Sequence, residues 1–229
     1  TLFTSMGEVT FFTAGDGIHG RELWRTDGTE AGTWLVKDVT PGSASSYLKS
    51  FTVVGNLLYF TNENHYVDAE LWKSDGTAAG TTLITTLARW TEANSPRELV
   101  NVNGTLFFNA DTPLASTGVE LWKSDGTDAG TVRVKDINAG SGSSSLRDLV
   151  NVEGTLYFVA NDGASGFELW KSDGTEAGTV RVKDIRAGLD GSFPSLFTNV
   201  SGTLYFIAND GVRGSEIWKS DGTEAGTVL

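Results

Sequence analysis

The stretch ELWKSDGTDAGT, Glu120 to Thr131, decides the fold because near copies of it stand at five places in the chain. The copies begin at Glu22, Glu70, Glu120, Glu168 and Glu216, and successive tryptophans in them are separated by 48, 50, 48 and 48 residues. Self-similarity at a period of this size is typical of solenoids, propellers and other repeat arrays. The chain therefore consists of one supersecondary unit that is repeated five times.

The repeated stretch predicts a hairpin. Leu121 and Trp122 precede Asp125-Gly126, a pair suited to tight turns and positive φ, and a β-branched run follows. We expect the recurring aspartate to accept hydrogen bonds from amides of its own turn, and the tryptophan to supply most of the buried area of its strand. A metal or substrate carboxylate in each unit is the alternative. The aspartates are Asp27, Asp75, Asp125, Asp173 and Asp221.

Each unit contains four strand-like segments. The nearly continuous apolar run Leu156 to Ala160 predicts an inner strand that is covered on both faces. The alternating run Val180 to Lys183 predicts an exposed edge, because charges on an edge strand resist pairing with other chains. Four antiparallel strands graded from buried to charged predict a propeller blade.

The predicted fold class is all-β, a five-bladed β-propeller with four antiparallel strands per blade and about 48 residues per repeat. We expect a single domain over residues 1–229, with blades at approximately 1–45, 46–95, 96–143, 144–191 and 192–229. The gap between a motif tryptophan and the second-strand phenylalanine of the next unit is always 36 residues. This constancy leads us to expect one closed ring.

The same residues resemble a known family. Glu-Leu-Trp-x-x-Asp-Gly-Thr, followed by Ala-Gly-Thr and by Val-Lys-Asp-Ile at 134–137 and 182–185, is similar to the ELWxxDGT repeat of large bacterial proteins. The resemblance covers essentially the whole chain. It implies a propeller-type repeat in a secreted or cell-surface protein, and no catalytic residue to carry over. Because the first residue is Thr1 rather than Met, we expect an excerpt or processed part of a larger chain or assembly.

Charge and composition exclude several partners. Lys and Arg number 17 against 29 Asp and Glu, which gives a net charge of −12 and a pI near 4.5. Nucleic acids and anionic membranes attract basic surfaces, so neither is an expected partner. No apolar run approaches the length of a membrane span. Cysteine is absent, which excludes disulfides and thiolate metal sites.

Strand connectivity assigns the loops to two faces. Links from first to second and from third to fourth strand lie on one face, which we call the templated face because its turns recur in every unit. Links from second to third strand and from unit to unit lie on the other, which we call the variable face. Since loops that vary on a fixed scaffold commonly carry function, a binding site is expected on the variable face.

The second unit departs most from the repeat on that face. Its loops carry His65, Tyr66, Asp68, Arg89 and Trp90, where other units have short Gly-containing segments. Aromatic rings beside Arg and a carboxylate suit recognition of carbohydrate or peptide, the ring stacking and the polar groups orienting the ligand. These residues are the predicted ligand site. The alternative is that Trp90 folds inward and seals an irregular join.

Enzyme chemistry has little support in the sequence. The two histidines, His19 and His65, stand in different units, and no nucleophile elbow or phosphate-binding loop occurs. We expect no metal or other cofactor. Calcium is the alternative, through Asp16, Asp162 and Asp210 in short Gly-containing loops, but each loop has only one or two carboxylates and calcium needs six to eight oxygens. A turn role is favoured for these aspartates.

The recurring glutamates Glu22, Glu70, Glu120, Glu168 and Glu216 are expected to form a hydrogen bond or ion pair to the neighbouring blade, rather than a ring of ligand carboxylates. The predicted function is a non-catalytic binding or interaction module of a secreted or surface bacterial protein that recognises protein or carbohydrate through the variable face. A structural spacer or assembly subunit without a ligand is the first alternative. A glycan-processing enzyme is the second.

Overall fold

The computed structural model describes residues 3–63, 69–87, 96–111 and 118–229. Within these residues nineteen strands form five antiparallel sheets and there is no helix. The first sheet contains β1 (Phe3–Met6), β2 (Val9–Gly15), β3 (Arg21–Thr26) and β4 (Trp34–Lys37). The second contains β5 (Leu48–Val54), β6 (Leu57–Asn62), β7 (Glu70–Ser74) and β8 (Thr82–Thr86).

The remaining three sheets repeat the arrangement. The third contains β9 (Arg97–Val102), β10 (Thr105–Ala110), β11 (Glu120–Ser124) and β12 (Val132–Lys135). The fourth contains β13 (Arg147–Val152), β14 (Thr155–Asn161), β15 (Phe167–Ser172) and β16 (Val180–Lys183). The fifth contains β17 (Ser195–Val200), β18 (Thr203–Asn209) and β19 (Ser215–Ser220). In every sheet the strands lie side by side in chain order, so each unit is an up-and-down sheet.

The predicted contrast in burial between the second and the fourth strand of a sheet is confirmed. Residues 156–160 of β14 are buried throughout, whereas β16 at the sheet edge exposes Val180 and buries only Val182. The unit of four strands is also confirmed in the first four sheets. The fifth sheet is different, because its edge position holds only a single bridge between Lys219 and Val228.

The hydrophobic core lies between the sheets. We call the side of a sheet that meets the next sheet along the chain its forward face, and the opposite side its back face. On the fourth sheet the forward face presents Val152, Tyr157 and Leu169, and these pack on Phe206 and Trp218 of the back face of the fifth. Three further clusters at equivalent positions join the other neighbouring sheets, so similar interfaces occur four times.

The expected closed ring is wrong for this structure. First strands contact each other in series, β1 with β5, β5 with β9, β9 with β13 and β13 with β17. Closure would bury the forward face of the fifth sheet against the first, yet Ile217 and Phe3 on those faces are largely exposed. The sheets therefore form an open series with an uncovered apolar face at each end. In the described residues no helix is long and apolar enough to cross a membrane.

Candidate functional site

The turn in each SDGTxAGT segment is built by side chains of the motif itself. In the second sheet Asp75 Oδ1 accepts hydrogen bonds from the amide of Thr77 at 2.8 Å and from its hydroxyl at 2.7 Å. Gly80 N donates to Thr77 Oγ1 at 2.9 Å, and a Cβ on Gly80 would lie 2.1 Å from the Asp75 carboxylate. The expected turn role of the aspartate is confirmed. The same bonds recur around Asp27, Asp125, Asp173 and Asp221.

The templated face also joins neighbouring sheets. Lys123 Nζ donates to the carbonyl oxygen of Gly174 at 2.8 Å, which links the third strand of one sheet to the turn of the next. Lys73 makes the same bond to Gly126. The aspartate and threonine of each turn, together with Lys73 and Lys123, are thus bonded within the scaffold, so these turns have a structural role.

The recurring glutamates fasten the unit-to-unit connections. Glu168 Oε1 accepts from the amides of Arg186 at 3.1 Å and Ser192 at 2.9 Å, and Oε2 accepts from the amide of Ile185 at 3.1 Å and the hydroxyl of Ser192 at 2.6 Å. Glu22 and Glu120 make corresponding bonds to residues 17 and 24 positions ahead. The expected contact is therefore to the connection that leads into the next sheet, and not to the strands of that sheet.

In the second and fifth sheets the glutamate has different contacts among the described residues. Glu70 accepts from the indole N–H of Trp72 at 2.8 Å and from the amide group of Asn62 at 3.0 Å. Glu216 is exposed and makes no hydrogen bond among the described residues.

The buried glutamates give the protein a specific pH dependence. Burial raises the pKa of Glu120 to about 7 from an ordinary 4.5, and burial also raises the pKa of Glu22 and Glu168. Hydrogen bonds from threonine hydroxyls and amides lower the pKa of the five turn aspartates below 3.8. The native state therefore binds more protons than the unfolded chain between pH 4.5 and about pH 7. Below pH 3.8 it binds fewer protons than the unfolded chain.

We expect the free energy of unfolding to be highest at about pH 4 to 5. It should fall as the pH rises towards 7, because the stability that a raised pKa contributes is lost as the pH passes through the pKa of the native state. It should also fall in more acid solution, where the turn aspartates become protonated. Urea unfolding from pH 3 to pH 8 measures the profile. The variant Glu120→Gln should reduce the fall in the free energy of unfolding as the pH rises towards 7. An unchanged slope in that range would contradict the assignment of the fall to Glu120.

The variable face carries all of the large apolar side chains that are exposed in described connecting loops. Ile18 and Val212 lie in the loops between second and third strands, and Tyr47, Leu189 and Phe193 lie in unit-to-unit connections. A surface cavity of about 440 Å³ lies beside Ile18 and is lined by Arg21, Ser43, Ser45 and three glycines. Apolar groups displayed on loops beside polar ones are a common feature of interaction surfaces.

The structure brings an aromatic and cationic cluster together where the fourth and fifth sheets meet on the variable face. The guanidinium carbon of Arg147 lies 4.3 Å from the centroid of the Phe167 ring, and the ring of Phe193 lies 5.4 Å from that of Phe167. Phe193 is half exposed, so one ring surface remains open to solvent. We call Arg147, Phe167 and Phe193 the aromatic cluster. Sequence reasoning missed it, although neither phenylalanine recurs at the equivalent position of another unit.

The predicted ligand residues His65, Tyr66, Asp68, Arg89 and Trp90 lie outside the described residues. Their placement on the variable face stays a prediction.

The alternative calcium ligands act as turn acceptors in the structure. Asp16 Oδ1 accepts from the amides of Ile18 and His19, and its Oδ2 lies 2.6 Å from His19 Nδ1. Asp210 accepts from the amide of Arg213 and pairs with its guanidinium at 2.8 Å. Asp162 accepts two amides at 2.8 and 2.9 Å in the same way. In the described ranges no group of three or more His, Cys, Asp or Glu is arranged to hold a metal ion.

Changing Asp162 to Asn should alter the free energy of unfolding by less than about 0.5 kcal/mol, because the amide oxygen can still accept both backbone hydrogen bonds. Thermal unfolding with calcium and with a chelator provides the measurement. A rise in melting temperature with calcium that Asp162→Asn abolishes would instead make these loops metal sites.

Comparison with known proteins gives the fold alone. No protein-family model matches the chain, and no curated protein does. Among solved structures, one of two prolyl endopeptidases matches with a TM-score of 0.61 and 12% identity, over 96% of this chain and 34% of that one. A puromycin-hydrolyzing peptidase of Mycobacterium tuberculosis matches with a TM-score of 0.58 and 14% identity, over 96% and 35%. A puromycin hydrolase matches with a TM-score of 0.53 and 13% identity, over 99% and 38%.

The chain thus spans about a third of the length of the solved structures it matches. The likeness is to β-propeller domains of these enzymes. Together with the five up-and-down sheets, it defines a β-propeller-like, all-β fold.

Proposed function

We propose that the chain is a non-catalytic interaction module built from propeller blades, and that it binds protein or carbohydrate through the variable face. The observation that carries the proposal is the division between the two faces. The recurring aspartates and threonines of the templated face are bonded within their turns and Lys73 and Lys123 bond to the next sheet, whereas exposed apolar side chains of the described loops lie on the variable face. A scaffold of this kind holds one face constant and leaves the other free to recognise a partner.

The aromatic cluster is the proposed contact among the described residues. A ring with one open surface and a guanidinium alongside offers stacking and a hydrogen-bond donor, which suits a sugar ring or a peptide. Contact around the second and third units, through residues such as Tyr66 and Trp90, stays a prediction.

The absence of catalysis is part of the proposal. The turn aspartates accept from threonine, and Glu22, Glu120 and Glu168 accept from backbone amides. Carboxylates held in this way are poorly placed to exchange protons with a substrate. We further propose that the module belongs to a secreted or cell-surface bacterial protein of the ELWxxDGT repeat type, which the repeated motif supports.

A closed ring and a spacer without a ligand each have a requirement that differs from those of the proposed module. A closed five-bladed ring would have to bury the forward face of the fifth sheet on the back face of the first, and both faces are uncovered in the structure. A spacer without a ligand would leave the exposed side chains of the variable face without a role.

A glycan array and a displayed-peptide library, each probed with the purified chain, test the proposal. Binding that is weakened at least about tenfold by Phe193→Ala supports it, since this half-exposed ring can be removed without opening the core. The matched control is Trp34→Ala. Trp34 is also an exposed aromatic with an arginine, Arg25, 4.3 Å from its ring, but it lies on an edge strand.

Binding that Trp34→Ala weakens as much as Phe193→Ala would place the contact elsewhere and contradict the proposed cluster. The double variant Tyr66→Ala, Trp90→Ala tests the second unit in the same assay. No binding in either screen, or turnover in a screen of glycosidase and peptidase substrates, would contradict the proposed function.

A further inference from the structure

The variable face has a second cavity, between the third sheet and the connection that leads into the fourth. Its volume is about 300 Å³. The buried residues Val119 and Leu146 contribute an apolar floor. The rim includes Arg97, Glu98 and Ser145, which are all exposed. An apolar cavity with a few polar groups around it has the general form of a site for a small ligand or for one ring of a larger one.

This cavity occupies the place in the third unit that the aromatic cluster occupies in the fourth. Strands β9 and β13 both begin with an arginine that belongs to one of the two sites. Val119 and Ser145 stand 48 residues before Phe167 and Phe193, which is the spacing of these two units. Ser145 and Phe193 also share a backbone conformation, with φ of 49° and 52°. Smaller side chains at the two phenylalanine positions therefore account for the cavity in the third unit.

The cavity and the aromatic cluster lie side by side. Leu146 lines the cavity, and the next residue, Arg147, belongs to the cluster. Glu98 Oε2 accepts a hydrogen bond from the amide of Leu149 at 3.0 Å, which ties the cavity rim to the strand that carries Arg147. A ligand with two linked rings can therefore contact the half-exposed ring of Phe193 and also enter the cavity.

The groups at the cavity rim match the hydroxyl groups of a sugar. The Glu98 carboxylate accepts hydrogen bonds and the Arg97 guanidinium donates them, whereas the Ser145 hydroxyl does both. A sugar hydroxyl also does both, and the C–H groups of a sugar ring suit an apolar floor or an aromatic surface. The charges of Arg97 and Glu98 cancel, and the whole chain has a net charge of −12, so the site does not favour an anionic ligand.

We propose that the cavity and the aromatic cluster are adjacent subsites for a neutral oligosaccharide of at least two sugar units. One sugar stacks on Phe193, and a neighbouring sugar enters the cavity, where Arg97 and Glu98 bind its hydroxyls. An oligosaccharide presents a ring of similar chemistry at each step, which is what two neighbouring subsites of this kind require. The inference rests on the proposed function and deepens it, because it selects carbohydrate over protein as the ligand of the variable face.

Ser145→Phe in the intact chain tests the cavity and leaves the cluster in place. The fourth unit has phenylalanine at this position with nearly the same φ, so the fold accommodates the ring, which takes up space in the cavity. The matched control is Ser141→Phe, at an exposed serine of the same connection that does not line the cavity. The probe is an array of neutral, sulfated and carboxylated glycans of different lengths, followed by calorimetric titration with the neutral oligosaccharide that binds best.

We expect Ser145→Phe to weaken binding of that oligosaccharide at least about tenfold, and Ser141→Phe to leave it within about twofold. Glu98→Gln should weaken it about fivefold, because a charged acceptor binds a hydroxyl more strongly than an amide does. The amide oxygen can still accept from Leu149, so the contact between the strands remains. Raising the salt concentration tenfold should change the affinity by less than about twofold, as expected for an uncharged ligand.

Binding that Ser145→Phe leaves unchanged or strengthens, while Phe193→Ala weakens it, would overturn the second subsite and leave the proposed function standing. Selection of sulfated or carboxylated glycans alone would overturn the inference in the same way. So would a displayed peptide that binds when no glycan does. No binding in either screen would contradict the proposed function and this inference together.

Discussion

Replacing Trp170 with alanine should lower the free energy of unfolding by about 3 to 5 kcal/mol, the usual range for a large buried aromatic. Trp170 is 6% exposed and packs with Phe107, Leu121 and Phe158 in the interface between the third and fourth sheets. Its removal leaves a cavity between two sheets whose strands cannot both move to fill it. Urea unfolding followed by circular dichroism measures the loss.

The matched control for this prediction is Trp24→Ala. Trp24 occupies the same position in the first sheet, but no sheet covers that back face and the ring is only partly buried. A smaller loss of about 1 to 2 kcal/mol is therefore expected, in proportion to the apolar area withdrawn from water. Equal losses at the two positions would contradict the view that stability comes from the interfaces between sheets.

Changing Glu168 to Gln should destabilise the protein by about 2 to 3 kcal/mol, although the side chains are nearly the same size. The carboxylate accepts from three amides and one hydroxyl, and an amide side chain turns one of its two oxygens into a donor. At least one buried N–H is then left facing another donor. Chemical denaturation at neutral pH gives the measurement.

Glu216→Gln is the control for that change, since Glu216 stands at the same position of the motif with an exposed side chain. Its effect should stay within about 0.5 kcal/mol, as for ordinary surface substitutions. A loss at Glu216 as large as that at Glu168 would mean that the glutamate stabilises its own strand and does not fasten a connection.

Much of the unit could be predicted because its determinants are local. Asp-Gly in the motif specifies the turn, the apolar run of β14 specifies a strand covered on both faces, and the charged alternation of β16 specifies an edge. These features depend on neighbours within a few residues, and the structure has them as expected. The role of Thr77, which accepts from Gly80 and donates to Asp75, was not predicted, although a threonine stands at this position in all five copies of the motif.

Features that depend on longer distances were harder to infer. The constant gap of 36 residues between a motif tryptophan and the next unit's phenylalanine shows that the units are alike. The number of units needed to close a ring depends on the angle between successive sheets, and no residue pattern specifies that angle. The first strands contain a second example. Ser50, Glu98, Asp148 and Leu196 adopt positive φ beside a shift of register, where four different residue types give no common signal.

The candidate site was predicted only to the level of a face. Reasoning from connectivity selected the side on which loops vary, and the exposed apolar loop residues of the described chain lie there. Within that face the sequence favoured the most irregular unit, whereas the aromatic cluster joins Arg147 and Phe167 to Phe193 of the following connection. Arg147 and Phe167 begin two strands of the fourth sheet, and Phe193 lies in the connection that follows it, so their meeting depends on strand pairing and cannot be read from one segment alone.

The most direct test of an open series of sheets is amide hydrogen exchange of the intact chain, compared between β14 and β18. Their sequences, TLYFVAN and TLYFIAN, differ at a single position, so their intrinsic exchange rates are nearly equal. We predict that β18 exchanges about tenfold or more faster than β14, because a sheet covers only one of its faces. Equal protection of the two strands would show that the forward face of the fifth sheet is covered in solution, and would contradict the account.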